Sequence, residues 1–223
     1  MRLAPEGRPF VAAAMVVLLM VGALAITRGG PWRVAALVWL PLAVWVPAFF
    51  RDPVRAGPQD PRLILAPADG RVVSVAEIEE PDYLKGPACR VSVFMSIFNV
   101  HINYHPMDGV VEYRVYRPGT FVNATLDKAS SDNEQMSLGL CARAGAGAGA
   151  GAHRVLVRQI AGLVARRIVT DPQVGQQARQ GARLGLIRFG SRVDTFLPSG
   201  AEPRVRVGDR TVGGVTVIGE WVA

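Results

Sequence analysis

The chain has 223 residues, enough for one compact domain plus a membrane segment and too few for several large domains. It is half hydrophobic and carries a formal charge of +7 with a pI near 10.2, which points to an anionic partner. With no nucleic-acid reading motif and no dense Lys/Arg block, a lipid surface is the expected partner and nucleic acid is not.

The apolar residues are unevenly spread. Phe10 to Ile26 is an unbroken apolar run, ended by Thr27-Arg28-Gly29-Gly30-Pro31. Val34 to Phe50 is a second run, with Pro41 and Pro47 inside it. With their flanks, each approaches the roughly 20 residues that cross a bilayer as a helix. This predicts an anchor over residues 1–55, built of two helices at about 10–27 and 33–50. Trp32, Trp39, Trp45 and Phe49-Phe50 suit a membrane–water interface or helix packing. A cleaved signal peptide is the competing reading of the first run, but no small-residue cleavage site follows Ile26. The prolines also permit a re-entrant second segment. If both runs span, Arg2, Arg8, Arg51 and Arg55 share a side against Arg28 and Arg33, which favours a cytoplasmic remainder.

After Pro61 the pattern changes. Leu63-Ile64-Leu65, Val72–Val75, Arg90–Phe94, Val110–Val115 and Val155–Ile160 are short β-favouring runs separated by Gly, Pro and Asp. They predict a mostly β domain, sandwich-like or barrel-like, over 56–223. Pro67-Ala68-Asp69-Gly70 reads as a turn between strands. Ala144–Ala152 alternates Gly and Ala and reads as a flexible hairpin tip. Val174–Ala182 is polar and is expected as a short helix. Val205–Asp209 and Val212–Ile218 read likewise as turns between strands, and together these ends resemble the hairpins of lipoyl- and biotinyl-carrier folds, without a carrier lysine. The cysteines, Cys89 and Cys141, lack metal-ligand spacing and suit a reducing compartment.

Chemistry concentrates late in the chain, in Arg188-Phe189-Gly190-Ser191-Arg192-Val193-Asp194. Gly190 precedes a hydroxyl nucleophile and has no side chain to block its approach. The Ser191 hydroxyl can attack the Gly190 carbonyl, forming an ester by an N-to-O acyl shift. β-Elimination and hydrolysis then give a pyruvoyl group. Histidine occurs three times, as His101, His105 and His153. His101 lies in an apolar context, where a buried structural histidine and a proton carrier are both open readings. Asp69, in an Asp-Gly dipeptide, reads equally as a turn residue. Arg188 and Arg192 flank Gly190-Ser191, either to bind a substrate anion or as solvated charges. No metal site is expected.

The 188–194 segment resembles the processing site of the short prokaryotic phosphatidylserine decarboxylases. Phe50-Arg51-Asp52-Pro53, Pro67–Val72, Phe98–Asn103 running on to Pro106 and Gly109, and more weakly Lys128-Ala129-Ser130 to Asn133-Glu134 match the same family in the same order. The resemblance implies self-cleavage between Gly190 and Ser191 into a β chain, 1–190, and an α chain, 191–223, paired as a heterodimer with room for a higher oligomer. It implies a covalent pyruvoyl cofactor derived from Ser191. That group would form a Schiff base with phosphatidylserine and release phosphatidylethanolamine. It further implies a triad-like set of Asp69, His101 and Ser191, and Asn133-Glu134 near the site. Longer members carry a second histidine three residues after the first. Here Tyr104 holds that position, with His105 beside it. The implied location is the cytoplasmic face of the inner membrane. Two rivals stand beside this reading: a membrane-anchored serine hydrolase using Asp69, His101 and Ser191, which lacks a Gly-x-Ser-x-Gly elbow, and a non-catalytic β-sandwich binding module.

Overall fold

The computed structural model describes residues 2–120, 132–142, 153–162, 167–188 and 190–222. The chain divides into two compact units, Met1–Val54 and Arg55–Ala223. In the first, β1 (Arg2–Leu3) pairs antiparallel with β2 (Arg51–Asp52), closing the ends of two helices, α1 (Arg8–Arg28) and α2 (Pro31–Phe49). At 1.5 Å per residue both measure close to the roughly 30 Å of a bilayer's hydrocarbon core. Both are apolar enough to cross a membrane. Leu19, Ile26, Leu37 and Val38 are exposed, as lipid-facing side chains would be in the absence of water. Trp39 Nε1 donates to the Ala14 carbonyl at 3.1 Å, tying the two helices together.

The second unit is mostly β, as the short β-favouring runs predict. In chain order its strands are β3 (Leu63–Leu65), β4 (Gly70–Glu80), β5 (Gly86–Met95), β6 (Ile102–Tyr104), β7 (Gly109–Arg117), β8 (Gln135–Cys141) and β9 (Arg154–Ile160). There follow β10 (Ile168–Thr170), β11 (Gln177–Ala178), β12 (Arg183–Ile187), β13 (Ser191–Pro198), β14 (Ala201–Pro203), β15 (Arg210–Thr211) and β16 (Val217–Trp221). Among the described residues they form one large antiparallel sheet, ordered β11-β7-β8-β9-β13-β5-β4-β15, and two small ones, β10-β12-β6 and β14-β16-β3.

The core lies on one face of the large sheet, where Val91, Val93, Met95, Val155, Val157, Val193 and Leu197 meet Ile64, Leu184, Ile187 and Ile218. Period-two alternation puts Ser191, Val193, Thr195 and Leu197 of β13 toward that core. Arg192, Asp194 and Phe196 face the other way, where Phe196 packs with Ala88 and Leu156. Strand β13 is therefore buried on both faces, paired along its length with β5 and over five residues with β9. Cys89 is buried in the core, and desolvation pushes its thiol up to about 11, so it stays protonated at neutral pH.

One expectation needs correction. Val174–Ala182 is no helix: it is a turn at Val174-Gly175, the two-residue strand β11, and a second turn at Gln180-Gly181. Gly175 and Gly181 both have positive φ, which breaks helical continuation. The turns read at Val205–Asp209 and after Val212 are present: the first is stapled by the Arg206 N–H donating to Asp209 Oδ2, and Val212–Thr216 is turned before β16 begins. His153 is stacked on Trp221 at 3.8 Å. The Gly/Ala stretch and Lys128-Ala129-Ser130 lie outside the described residues.

Candidate active site

Ser191 opens β13 and is wholly buried. Its Oγ has no hydrogen-bond partner among the described residues. A buried hydroxyl without a partner is unfavourable by about 1–3 kcal/mol, a state that Ser191 shares with Thr195 of β13 and Ser92 of β5; what sets Ser191 apart is the left-handed glycine before it. Gly190, directly before it, has φ 63°, while an added Cβ would meet nothing within 4 Å. The glycine is thus required by the backbone and not by space: an L side chain in this left-handed region is strained by about 1–2 kcal/mol. The chain turns sharply at Gly190 and delivers Ser191 into the sheet.

His101 is fully buried just before β6, and its carbonyl accepts from the Ile187 N–H, four residues before Ser191. Its Nδ1 lies 3.0 Å from the Asn99 carbonyl oxygen. A carbonyl oxygen only accepts, so this contact puts the proton on Nδ1 and makes Nε2 the basic nitrogen of the neutral ring. Sequence reasoning expected a carboxylate to orient this imidazole. The structure orients it with a backbone carbonyl.

Asp69 lies elsewhere in the bonding pattern. Its Oδ1 accepts from the Gly213 N–H at 2.7 Å, and its Oδ2 accepts from Arg55 at 2.7 Å. Among the described residues it makes no hydrogen bond to His101. Register nevertheless brings it to the same end of the large sheet. Gly70 follows it at the start of β4, beside Phe94-Met95 of β5, and Met95 faces Ser191. That is two strand spacings, roughly 10 Å. Gly70 is a glycine because a Cβ there would sit 2.1 Å from the Phe94 oxygen. Arg55, which sequence reasoning read only as a topological charge, is the residue that holds Asp69. No spacing rule links positions 14 apart across an irregular segment.

A buried polar chain runs beneath this end. Asn103 Nδ2 donates to Met95 Sδ at 3.5 Å. Gln159 Nε2 donates to Asn103 Oδ1 at 2.7 Å, and Thr170 Oγ1 donates to Gln159 Oε1 at 2.5 Å. It ties β6, β9 and β10 together opposite Ser191. Asn133, also buried, donates to the Ala161 carbonyl at 2.7 Å, beside the end of β9, and the Ala161 N–H donates to the Glu134 carbonyl. Asn133-Glu134 thus sits at the same end of the sheet as Ser191.

The two flanking arginines part company. Arg188 is half-buried at the end of β12, its N–H donating to the Arg167 carbonyl. Arg192, read either as a cation for a substrate anion or as a solvated charge, is neither exposed nor unpaired: it is fully buried and bidentate to Asp194, at 2.6 and 3.0 Å. Because β13 is covered on both faces, the alternation that turns Ser191 inward drives Arg192 into the opposite buried layer.

His105 is separated from His101 by the length of β6, roughly 13 Å at the strand rise. Its ring is buried, Nδ1 has no hydrogen-bond partner among the described residues, and desolvation pushes its pKa down to about 4. Because the folded value lies below the unfolded 6.5, the unfolded chain binds the proton more readily. Stability is complete above pH 6.5 and is lost as pH falls toward 4. From pH 7 to pH 5 the loss is about 2 kcal/mol. We expect His105→Gln to remove that part of the pH slope in urea unfolding; an unchanged slope would contradict the assignment.

The family model described as phosphatidylserine decarboxylase matches residues 42–219. Three proteins named phosphatidylserine decarboxylase proenzyme are similar over nearly the whole chain. That of Symbiobacterium thermophilum is 48% identical over 217 residues, covering 97% of this chain and 94% of its own. That of Aromatoleum aromaticum is 45% identical, covering 98% and 95%. That of Burkholderia mallei is 44% identical, covering 98% and 94%.

Proposed function

The chain belongs to the phosphatidylserine decarboxylase family, and from that premise we propose that it decarboxylates phosphatidylserine to phosphatidylethanolamine after cutting itself once, between Gly190 and Ser191. The observation that carries the proposal is the Ser191 hydroxyl, buried and without a hydrogen-bond partner among the described residues, directly after a glycine at φ 63°.

The self-cleavage follows from these atoms. His101 Nε2 takes the Oγ proton as Oγ attacks the Gly190 carbonyl carbon. The C–N bond to Ser191 breaks, the amine receives the proton, and an ester joins Gly190 to the Ser191 side chain. Loss of the Ser191 α-proton and cleavage of the Cβ–O bond release residues 1–190 as a carboxylate. The dehydroalanine left at 191 tautomerises, takes up water and releases ammonia. Strand pairing supports retention of the new terminus, since residues 191–198 hydrogen-bond to β5 and 192–196 to β9. The two chains would stay one folded heterodimer.

A pyruvoyl group at 191 supplies a carbonyl for the substrate amine and an electron sink as carbon dioxide leaves. Around it, this chain's residues do the rest. The buried strand end excludes water, His101 holds and returns a proton, and Arg188 is the flanking cation situated to meet an anionic headgroup. Asp69, fixed by Arg55 and Gly213, contributes charge at the same sheet end. The two apolar helices support a membrane location. Arg2, Arg8, Arg51 and Arg55, set against Arg28 and Arg33, favour the cytoplasmic face of the inner membrane.

Intact mass under denaturing conditions tests the proposal. Two chains are expected, the smaller starting at 191, blocked to N-terminal sequencing and lighter than its serine-headed form by one ammonia. A single uncut chain that still turns over substrate would refute it and favour a serine hydrolase. We expect His101→Ala to slow the appearance of the two chains by roughly 10²–10⁴-fold, the range of general-base catalysis; cutting at the wild-type rate would remove His101 from the site.

A further inference from the structure

Between β5 and His101 the chain makes one tight turn. The Asn99 N–H donates to the Ser96 carbonyl, and the Ser96 N–H and hydroxyl both donate to Asn99 Oδ1, at 2.9 and 2.8 Å. The central residues of this turn are Ile97 and Phe98. Such positions ordinarily carry Gly, Asn, Asp, Ser or Pro, and here they carry two large apolar side chains. Phe98 is 70% exposed and Ile97 42%. Three hydrogen bonds thus hold a turn rigid in order to push apolar surface outward. Exposed apolar surface beside a site marks an interaction face.

The turn lies at the end of the large sheet that carries Ser191, and its last residue, Asn99, gives His101 Nδ1 its acceptor. Arginines lie at the same end of the sheet. Arg71 lies opposite Phe94 on one side and opposite Arg210 on the other, and both arginines are exposed. Arg167, exposed, and Arg188, half-buried, come together at the end of β12. Nearby acids are largely spoken for: Asp69 is paired with Arg55 and Asp194 with Arg192. Desolvation raises the Glu134 carboxyl above its usual range. An apolar tip with arginines at the same end of the sheet has the chemistry of a surface that enters a bilayer among anionic headgroups.

We propose that the Ser96–Asn99 turn is a membrane wedge: Ile97 and Phe98 insert into an anionic phospholipid bilayer and seat the mouth of the site on it. This is a contact made by the catalytic unit itself, in addition to the apolar helices. It rests on the decarboxylase reading for its choice of occupant. It also gives the turn's rigidity a use, because a wedge fixed to the acceptor of His101 holds that ring in register with the lipid surface.

The contact is read in the full chain, with Cys89→Ala and Cys141→Ala and a single polarity-sensitive fluorophore on Phe98→Cys or, as control, on Val174→Cys. Val174 is exposed and lies by β11, at the opposite end of the large sheet. In vesicles of phosphatidylcholine and phosphatidylglycerol carrying nitroxide lipid, the label at 98 is expected to be quenched several-fold more than the label at 174. Equal quenching overturns the wedge. This readout needs no turnover, so its failure is separable from failure of the decarboxylase reading. In a second arm, Ile97→Ser with Phe98→Ser is expected to lower the rate on bilayer phosphatidylserine roughly tenfold or more. Self-cleavage and the rate on dispersed short-chain phosphatidylserine should stay within about twofold. An equal loss on both substrates would make these residues part of the substrate pocket and also overturn the wedge.

Discussion

Ser191→Ala should leave the chain at its full 23.9 kDa and without decarboxylase activity. Removing Oγ removes the only atom in the scheme that attacks Gly190, so the ester never forms and no carbonyl is created at 191. Losses for a deleted nucleophile run to roughly 10⁴-fold or more. The fold should survive, because the hydroxyl lost is buried and has no hydrogen-bond partner among the described residues. Replacing an unsatisfied buried hydroxyl by a methyl is neutral to stabilising, so the thermal midpoint of the variant should match or exceed that of the uncut wild-type chain. Ser191→Thr sharpens the test. Threonine keeps the nucleophile and suits the start of a strand, and the same steps would leave a 2-oxobutanoyl cap, heavier than pyruvoyl by one methylene. The added methyl must fit a fully buried position, so processing should be slow. Mass spectrometry that finds activity in an uncut Ser191→Ala chain would end the self-cleavage scheme.

The large features were legible because they depend on composition over a window. Two apolar runs and a glycine-proline break predict a helical hairpin. β-Branched runs punctuated by Gly, Pro and Asp predict strands at Leu63–Leu65, Arg90–Phe94 and Val155–Ile160, where strands occur. The candidate site was proposed from short-range chemistry, since Gly190-Ser191 is a dipeptide whose reactivity is local. What could not be read is set by register. Whether Arg192 faces solvent depends on β13 lying between β9 and β5, and no local pattern reveals a strand's neighbours. The same holds for Asp69, whose acceptor positions are filled by Gly213 from 144 residues away and by Arg55. The wedge turn lay inside a stretch read for its histidine, where Ile97 and Phe98 look like ordinary strand residues until their exposure is known.

Asp194→Ala should have the largest effect on stability. The carboxylate accepts two bonds from Arg192, and both side chains are wholly excluded from water. Removing one partner takes from a buried guanidinium the carboxylate that holds it in two bonds, and changes of this kind destabilise by about 3–5 kcal/mol. That is a large fraction of the roughly 5–15 kcal/mol that holds a domain together, and for a unit of this size it corresponds to a fall in thermal midpoint of roughly 10 °C. The measurement is best made in the Ser191→Ala background, where every chain is uncut. Arg192→Met with Asp194→Leu should recover most of the loss, because a buried pair replaced by apolar side chains of similar volume forfeits no net charge solvation. The two outcomes separate stability from the proposed chemistry at adjacent positions. Ser191 faces the core and is the proposed nucleophile, whereas Arg192 faces the opposite layer and fixes the strand that presents Ser191. If the double variant is stable and, with Ser191 restored, cuts at the wild-type rate, the pair serves folding alone. If it is stable and cuts slowly, the pair also sets the angle at which β13 leaves Gly190, and the φ of 63° at that glycine is held partly from the far side of the sheet.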